Sequence, residues 1–162
     1  MFQRSREDGF GIIKVLELCR DIELKVSVLY EYFADVHSND PEMAAIWLKT
    51  AAEEGNHAKQ FDLAIKLVKQ DALGSVNLSI NEVKKYFTLV EQIYEKAKLE
   101  PPSALEALKI AITTENLFMK LHMTSVAAFT DFSYQQLFSA MMTNDKEHIE
   151  TLTRAYNALL SA

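Results

Sequence analysis

The stretch Ala51-Ala52-Glu53-Glu54-Gly55-Asn56-His57-Ala58-Lys59-Gln60-Phe61 sets a carboxylate and an imidazole three residues apart, at Glu54 and His57. Residues three apart on a helix share a face, so the pair can aim both groups at one point. Ninety-one residues later, Asp145 and His148 repeat the spacing. A lone glutamate precedes each pair by about one helical hairpin: Glu23 lies thirty-one residues before Glu54, and Glu115 thirty before Asp145. Two such hairpins packed together bring four carboxylates and two imidazoles into one bundle core, the ligand set of a dinuclear metal site.

With four histidines and twenty-three acidic residues in the chain, two such pairs are in themselves only mildly surprising. Their surroundings carry the argument. The stripe through Glu23 reads Ile12, Leu16, Cys19, Glu23, Val26, Tyr30, Phe33. The stripe through Glu54 includes Trp47, Ala51, Ala58 and Phe61; that through Glu115 includes Leu108, Ala111, Phe118 and His122. Asp145 sits among Phe138, Met141, Ile149 and Leu152. Each acidic residue thus lies in mid-helix on an otherwise apolar face of period 3.6. A buried carboxylate is costly unless paired or bound to metal. Four of them in register predict a shared cation.

Punctuation in the sequence predicts the helices and a single domain over residues 1–162. A first long helix is expected from about Gly11 to His37. Asp40 then caps a second, with Pro41 at its first position, running to about Gln70. Gly74 falls in a polar connection. Ser79 and Glu82 have capping-box spacing and open a shorter helix to near Lys98, whose Tyr86, Leu89, Ile93 and Tyr94 would cover one side of the bundle. Pro101 and Pro102 break it, and Ser103 with Glu106 opens a third long helix reaching about Phe129. Asp131 and Ser133 fit a short turn into a fourth, ending near Leu160. The predicted fold is all-α: a four-helix bundle of two antiparallel hairpins, at about 11–70 and 103–160, joined by a long crossover at about 71–102. Aligning the hairpins sets Glu23 opposite Glu115, Glu54 opposite Asp145, His57 opposite His148, Tyr30 opposite His122 and Trp47 opposite Phe138.

Composition excludes several classes. A net charge of -6 argues against nucleic acid as a partner, which needs a basic face. One cysteine, Cys19, excludes an internal disulfide framework and a four-cysteine iron or zinc site. No apolar run approaches transmembrane length, and the opening Met-Phe-Gln-Arg-Ser-Arg-Glu-Asp lacks a signal-peptide core. A cytoplasmic location with no membrane partner is the expectation.

At Glu23 with Tyr30 seven later, at Ala52-Glu53-Glu54-Gly55-Asn56-His57-Ala58, at Glu115 and at Asp145-Lys146-Glu147-His148, the chain resembles the ferritin-like superfamily and, within it, the rubrerythrin-type di-iron domain. The resemblance spans the chain from its first helix to its last. It implies two iron ions, bridged by oxygen, that reduce dioxygen or hydrogen peroxide while iron is oxidised. On the matching positions it implies Glu23 and Glu115 as terminal ligands, Glu54 and Asp145 as bridging carboxylates, and His57 and His148 as one imidazole per metal. Manganese or zinc would suit much the same donors. Three places depart from the family's pattern. Asp145 stands where glutamate is usual, Phe118 stands where rubrerythrin adds a carboxylate, and the cysteine-rich rubredoxin domain is absent. Electrons would then come from a separate donor or from ferrous iron itself. A homo-oligomer, a dimer, is expected by analogy of fold alone.

Other residues carry simpler readings. His122, on the metal-facing stripe, reads as a core histidine with satisfied nitrogens or as a group supporting the ligands. Tyr30 reads likewise as a core tyrosine or as a hydrogen-bond or electron donor beside the metals. His37, at a helix end, reads as a surface or capping residue. Glu53 and Glu147, about 100° round the helix from their motif partners, read as surface or supporting groups. Cys19 reads as a buried inert thiol. Two function classes follow: a di-iron or di-manganese oxidoreductase, acting as ferroxidase or peroxide scavenger, and a non-enzymatic bundle that stores metal or serves as an interaction module with a weakened site.

Overall fold

The structure, a computed structural model, describes residues 6–70, 79–126 and 132–162; within them the side chains of residues 6–10, 123–126, 133, 134 and 137 are not described. Five helices follow one another: α1 (Arg6–Val36), α2 (Pro41–Lys69), α3 (Ile80–Leu99), α4 (Ala104–Val126) and α5 (Phe132–Leu160). No strand occurs among the described residues.

Local chemistry sets three of the helix starts. The Asp40 side chain accepts from the backbone N–H of Glu42 and Met43 at 3.1 and 3.0 Å, with Pro41 beginning α2. Ser79 and Glu82 close a reciprocal capping box at α3. Ser103 and Glu106 do the same at α4, with Ser103 N donating to Glu106 Oε2 at 2.9 Å and Glu106 N to Ser103 Oγ at 3.3 Å. Such caps contribute about 1 kcal/mol each. Elsewhere the limits differ from expectation. Helix α1 already includes Arg6, the first described residue, rather than starting near Gly11, because a glycine in a helix costs only about 1 kcal/mol. Ser133 lies inside α5 instead of in a turn. The expected end of α4 at Phe129, like Gly74 and Asp131, falls outside the described residues.

Helices α1 and α2 form the first hairpin and α4 and α5 the second. Ser27 Oγ donates to the Ala51 carbonyl at 2.8 Å, and Arg20 reaches Asp62 at 3.2 Å, pinning α1 to α2. Helix α3, part of the crossover, lies on α1. It buries Val83, Val90 and Ala97, and Tyr32 Oη donates to the Ala97 carbonyl at 2.9 Å. Of the covering residues expected there, Tyr86, Ile93 and Tyr94 are half-buried, while Leu89 stays exposed. His37 is buried, not on the surface. It does cap α1, with Nδ1 2.8 Å from the Phe33 carbonyl, and its Nε2 lies 3.1 Å from the Pro102 carbonyl. That contact fastens the end of α1 to the connection before α4.

Two aromatic layers bracket the middle of the bundle. Trp47 packs on Tyr30 and Phe33 at ring separations of 5.7 and 5.1 Å, and Phe61 packs edge-on to Phe138 at 5.2 Å. These five rings are fully buried. Large apolar side chains of this kind dominate core energetics and keep water from what lies between them. No described helix is long and apolar enough to cross a membrane.

Candidate metal centre

Between the aromatic layers lie Glu23, Glu54, His57, Glu115, His122, Asp145 and His148, none more than 4 % exposed. Four helices each supply a carboxylate, because the apolar stripe that drives each helix into the core is interrupted by its acid. Helices α1 and α4 run antiparallel here, since Tyr30 meets Glu115 while His122, seven residues after Glu115, meets Glu23.

The donors gather in two clusters: Glu23 with Glu54 and His57, and Glu54 with Glu115 and His148. Within each, the donor atoms lie within 4.8 Å of one another. His57 Nδ1 is 3.6 Å from Glu23 Oε2, 3.3 Å from Glu54 Oε2 and 3.9 Å from Asp145 Oδ1. His148 Nδ1 is 3.0 Å from Glu54 Oε1 and 3.4 Å from Glu115 Oε2. Glu54 therefore belongs to both clusters and offers one oxygen to each. Asp145 turns one oxygen toward the His57 side.

Apart from a hydrogen-bonded contact of His148 Nδ1 with Glu115 Oε2 at 3.4 Å, these groups are near one another without being aimed at one another. Glu23 Oε2, Glu54 Oε1 and His57 Nδ1 are buried side-chain atoms with no hydrogen-bond partner, although charged neighbours stand within 3.0–3.6 Å. Buried polar atoms normally find partners, and leaving them without is costly. Side chains serving only each other would turn N–H groups onto lone pairs. Atoms that converge on common space without hydrogen bonds fit ligation of a cation, so the residues present suit a metal at each cluster.

Most of these groups are also held from behind, chiefly by the other hairpin, though Asp145 is held by His122 of its own. Tyr30 Oη donates to Glu115 Oε1 at 2.6 Å. His122 places Nε2 at 2.7 Å from Glu23 Oε1 and Nδ1 at 2.6 Å from Asp145 Oδ2. His148 Nε2 bonds Glu53 Oε2, and His57 Nε2 faces the Asn144 amide at 3.5 Å. His122 is a buried histidine with both nitrogens satisfied, and its partners are acids of the site; Glu53, though partly exposed, reaches the site too. Asn144 was not singled out by the sequence. The signal for it was the internal alignment, which sets Asn144 opposite Glu53, each one residue before its half's shared carboxylate.

The family model described as Rubrerythrin matches residues 14–156. The chain belongs to the rubrerythrin family. Its all-α bundle is therefore ferritin-like, and rubrerythrin-type domains imply a dinuclear metal site, typically of iron. No curated protein and no solved structure matches the chain. Where rubrerythrins add a carboxylate on the helix of Glu115, this member has Phe118, buried near the Tyr86 ring at 6.4 Å.

The acids and imidazoles of this rubrerythrin-type site restrain one another's charge. Burial alone would raise Glu23, but the His122 charge and hydrogen bonds outweigh it and hold the carboxyl at about 2. Burial opposes charge on His57 and His148 too. Glu23 and Glu54 nevertheless raise His57 to about 10, and Glu115 and Glu54 raise His148 to about 11. Glu115 is pushed up to about 7 by burial and by the charge of Glu54. Three imidazoles so offset much of the repulsion that four buried carboxylates would suffer alone.

A pH dependence follows for the metal-free protein. The raised imidazoles stabilise the fold fully below their ordinary value of 6.5, and that contribution is lost as pH rises through about 10 and 11. Glu115, raised from 4.5, loses its preference for the fold as pH passes about 7. Glu23 contributes above 4.5 and fails only as pH falls through about 2. The melting temperature of chelator-treated protein is expected to peak between about pH 4.5 and 6.5 and to fall from pH 7 to 10. A melting temperature that climbs steadily over pH 7–10 would contradict these assignments.

Proposed function

We propose that the protein is a dinuclear iron oxidoreductase that reduces dioxygen or hydrogen peroxide while ferrous iron is oxidised, with Glu23, Glu54, His57, Glu115, Asp145 and His148 as ligands. The observation that carries this reading is Glu54, buried in the core, facing two Glu/His clusters with one oxygen each. A bound ferrous pair supplies the electrons that the oxidant takes up. The protein's own groups supply the rest.

Oxygen and imidazole donors without thiolate suit iron or manganese. Cys19 lies one turn from Glu23, and burial, aided by the Glu23 charge, pushes its thiol far up, so it stays protonated and outside the donor set. Burial and the neighbouring carboxylates likewise raise Tyr30, which remains a phenol fixing Glu115 through its proton. Glu53, with 31 % of its side chain exposed, connects His148 Nε2 to solvent and offers a path for protons consumed in reducing the oxidant. The aromatic layers exclude bulk water from the remaining faces.

The test is anaerobic loading with two ferrous ions per chain, followed by rapid mixing with dioxygen or peroxide. Near-ultraviolet absorbance of ferric product is expected to rise well ahead of ferrous iron in buffer alone. Oxidation no faster than in buffer would set the enzyme reading aside and favour metal storage or an interaction role.

A further inference from the structure

The two halves of the site differ most at one exchanged position. Tyr30 and His122 each lie seven residues after the terminal glutamate of their own half. Each reaches the terminal glutamate of the other half, Tyr30 to Glu115 at 2.6 Å and His122 to Glu23 at 2.7 Å. A phenol has a single O–H, and Tyr30 commits it to Glu115. Glu54 keeps one oxygen for each cluster. An imidazole has a second nitrogen on the far side of its ring, and His122 sets that one 2.6 Å from Asp145 Oδ2. Asp145 is the residue opposite Glu54 in the alignment, so the histidine restrains the shared carboxylate of one half only.

We propose that His122 is a positioning residue that makes the metal pair unequal, holding Asp145 Oδ2 out of the donor set so that Glu54 alone spans both positions. This rests on the dinuclear reading of the site. The position beside His57 is then faced by Glu23 Oε2, Glu54 Oε2, His57 Nδ1 and Asp145 Oδ1. The position beside His148 is faced by Glu54 Oε1, Glu115 Oε2 and His148 Nδ1. With fewer protein donors, the ion beside His148 is held more weakly and leaves more room for an oxidant. Asp145 is also one methylene shorter than glutamate, but length is not the cause. A contact of 2.6 Å between a ring nitrogen and a carboxylate is among the strong, short hydrogen bonds, and it fixes where the second oxygen points.

The experiment is anaerobic titration of the full chain with cobalt(II), followed by calorimetry, on wild type, His122→Tyr, His122→Leu and Asp145→Glu. Wild type is expected to bind two ions in steps about ten- to a hundredfold apart, the range over which groups supporting metal ligands act. His122→Tyr copies the arrangement around Tyr30, and its second step should tighten until the gap is severalfold or less. His122→Leu frees both carboxylates, so its second step should also tighten even as loss of the Glu23 contact weakens its first; it carries the comparison if the tyrosine variant does not fold. Damage of a merely structural kind weakens both steps. Asp145→Glu, with His122 in place, should keep the gap. Two equal steps in wild type, a gap that persists without His122, or a gap closed by Asp145→Glu would each overturn the proposal while leaving the dinuclear reading intact. Uptake of a single cobalt ion by wild type would overturn both.

Discussion

Replacing Glu54 with alanine is expected to leave a protein that takes up at most one metal ion, and that one more than about a hundredfold more weakly than wild type, beyond the effect typical of groups that only support a ligand. Glu54 offers Oε2 to the His57 cluster and Oε1 to the His148 cluster, so one substitution removes a donor from both. No neighbour replaces it, because Asp145 Oδ2 is bonded to His122 and Glu115 Oε1 to Tyr30. The same change damages the metal-free fold. Glu54 stands between two buried imidazoles whose raised values depend on it, and breaking a buried charge pair costs about 3–5 kcal/mol. For a chain of this size the melting temperature should fall by roughly 10 °C. Glu54→Gln keeps the shape and one carbonyl acceptor, so its melting temperature should fall less while metal uptake fails equally. Two ions bound at wild-type strength by either variant would remove Glu54 from the centre of the site.

The placement of the carboxylates was legible because it depends on local periodicity. A glutamate within an apolar stripe is carried into the core with the stripe, so Glu23, Glu54 and Glu115 had to converge once their helices packed. Caps at Asp40, Ser79 and Ser103 were legible for the same reason, since each involves neighbours two or three residues away. The groups behind the ligands were harder to read. His122 meets partners 99 and 23 residues distant, on two different helices, and nothing in its own stripe distinguishes it from a core histidine. The angle of Glu53 around α2 puts its backbone at the flank and leaves a surface and a supporting role equally open. The length of a glutamate side chain lets it reach His148 from there. Angle on one helix says where a side chain starts; contact with another helix decides where it ends.

The internal alignment was the better guide to that second layer. It pairs Tyr30 with His122 and Glu53 with Asn144, and in the structure each member of a pair touches a clustered acid or imidazole of the opposite half. The two halves differ in the unmatched chemistry of these pairs, phenol against imidazole and carboxylate against amide, as well as in Asp145 against Glu54. A carboxylate behind His148 strengthens that ring as a donor, whereas a neutral amide behind His57 does so less.

Binding two metal ions at pH 7.5 is expected to release about two protons per chain, because each ligand imidazole must give up the Nδ1 proton that its carboxylate neighbours otherwise retain. His57 and His148, raised to about 10 and about 11, are both charged at that pH in metal-free protein. His122 contributes nothing to the count: both its nitrogens face carboxylate oxygens and stay there when the metals enter. The overall binding constant should therefore climb by about two logarithmic units per pH unit between about pH 7.5 and 9.5 and level off above the raised values. Below about pH 7 the slope should steepen, since Glu115 then carries a proton that must also leave. Calorimetric titration in buffers of different ionisation enthalpy counts the protons directly. A count near zero at pH 7.5, with two ions bound, would mean that the imidazoles are already neutral. The carboxylates would then be holding charge without them, and the charge balance assigned to the site would be wrong.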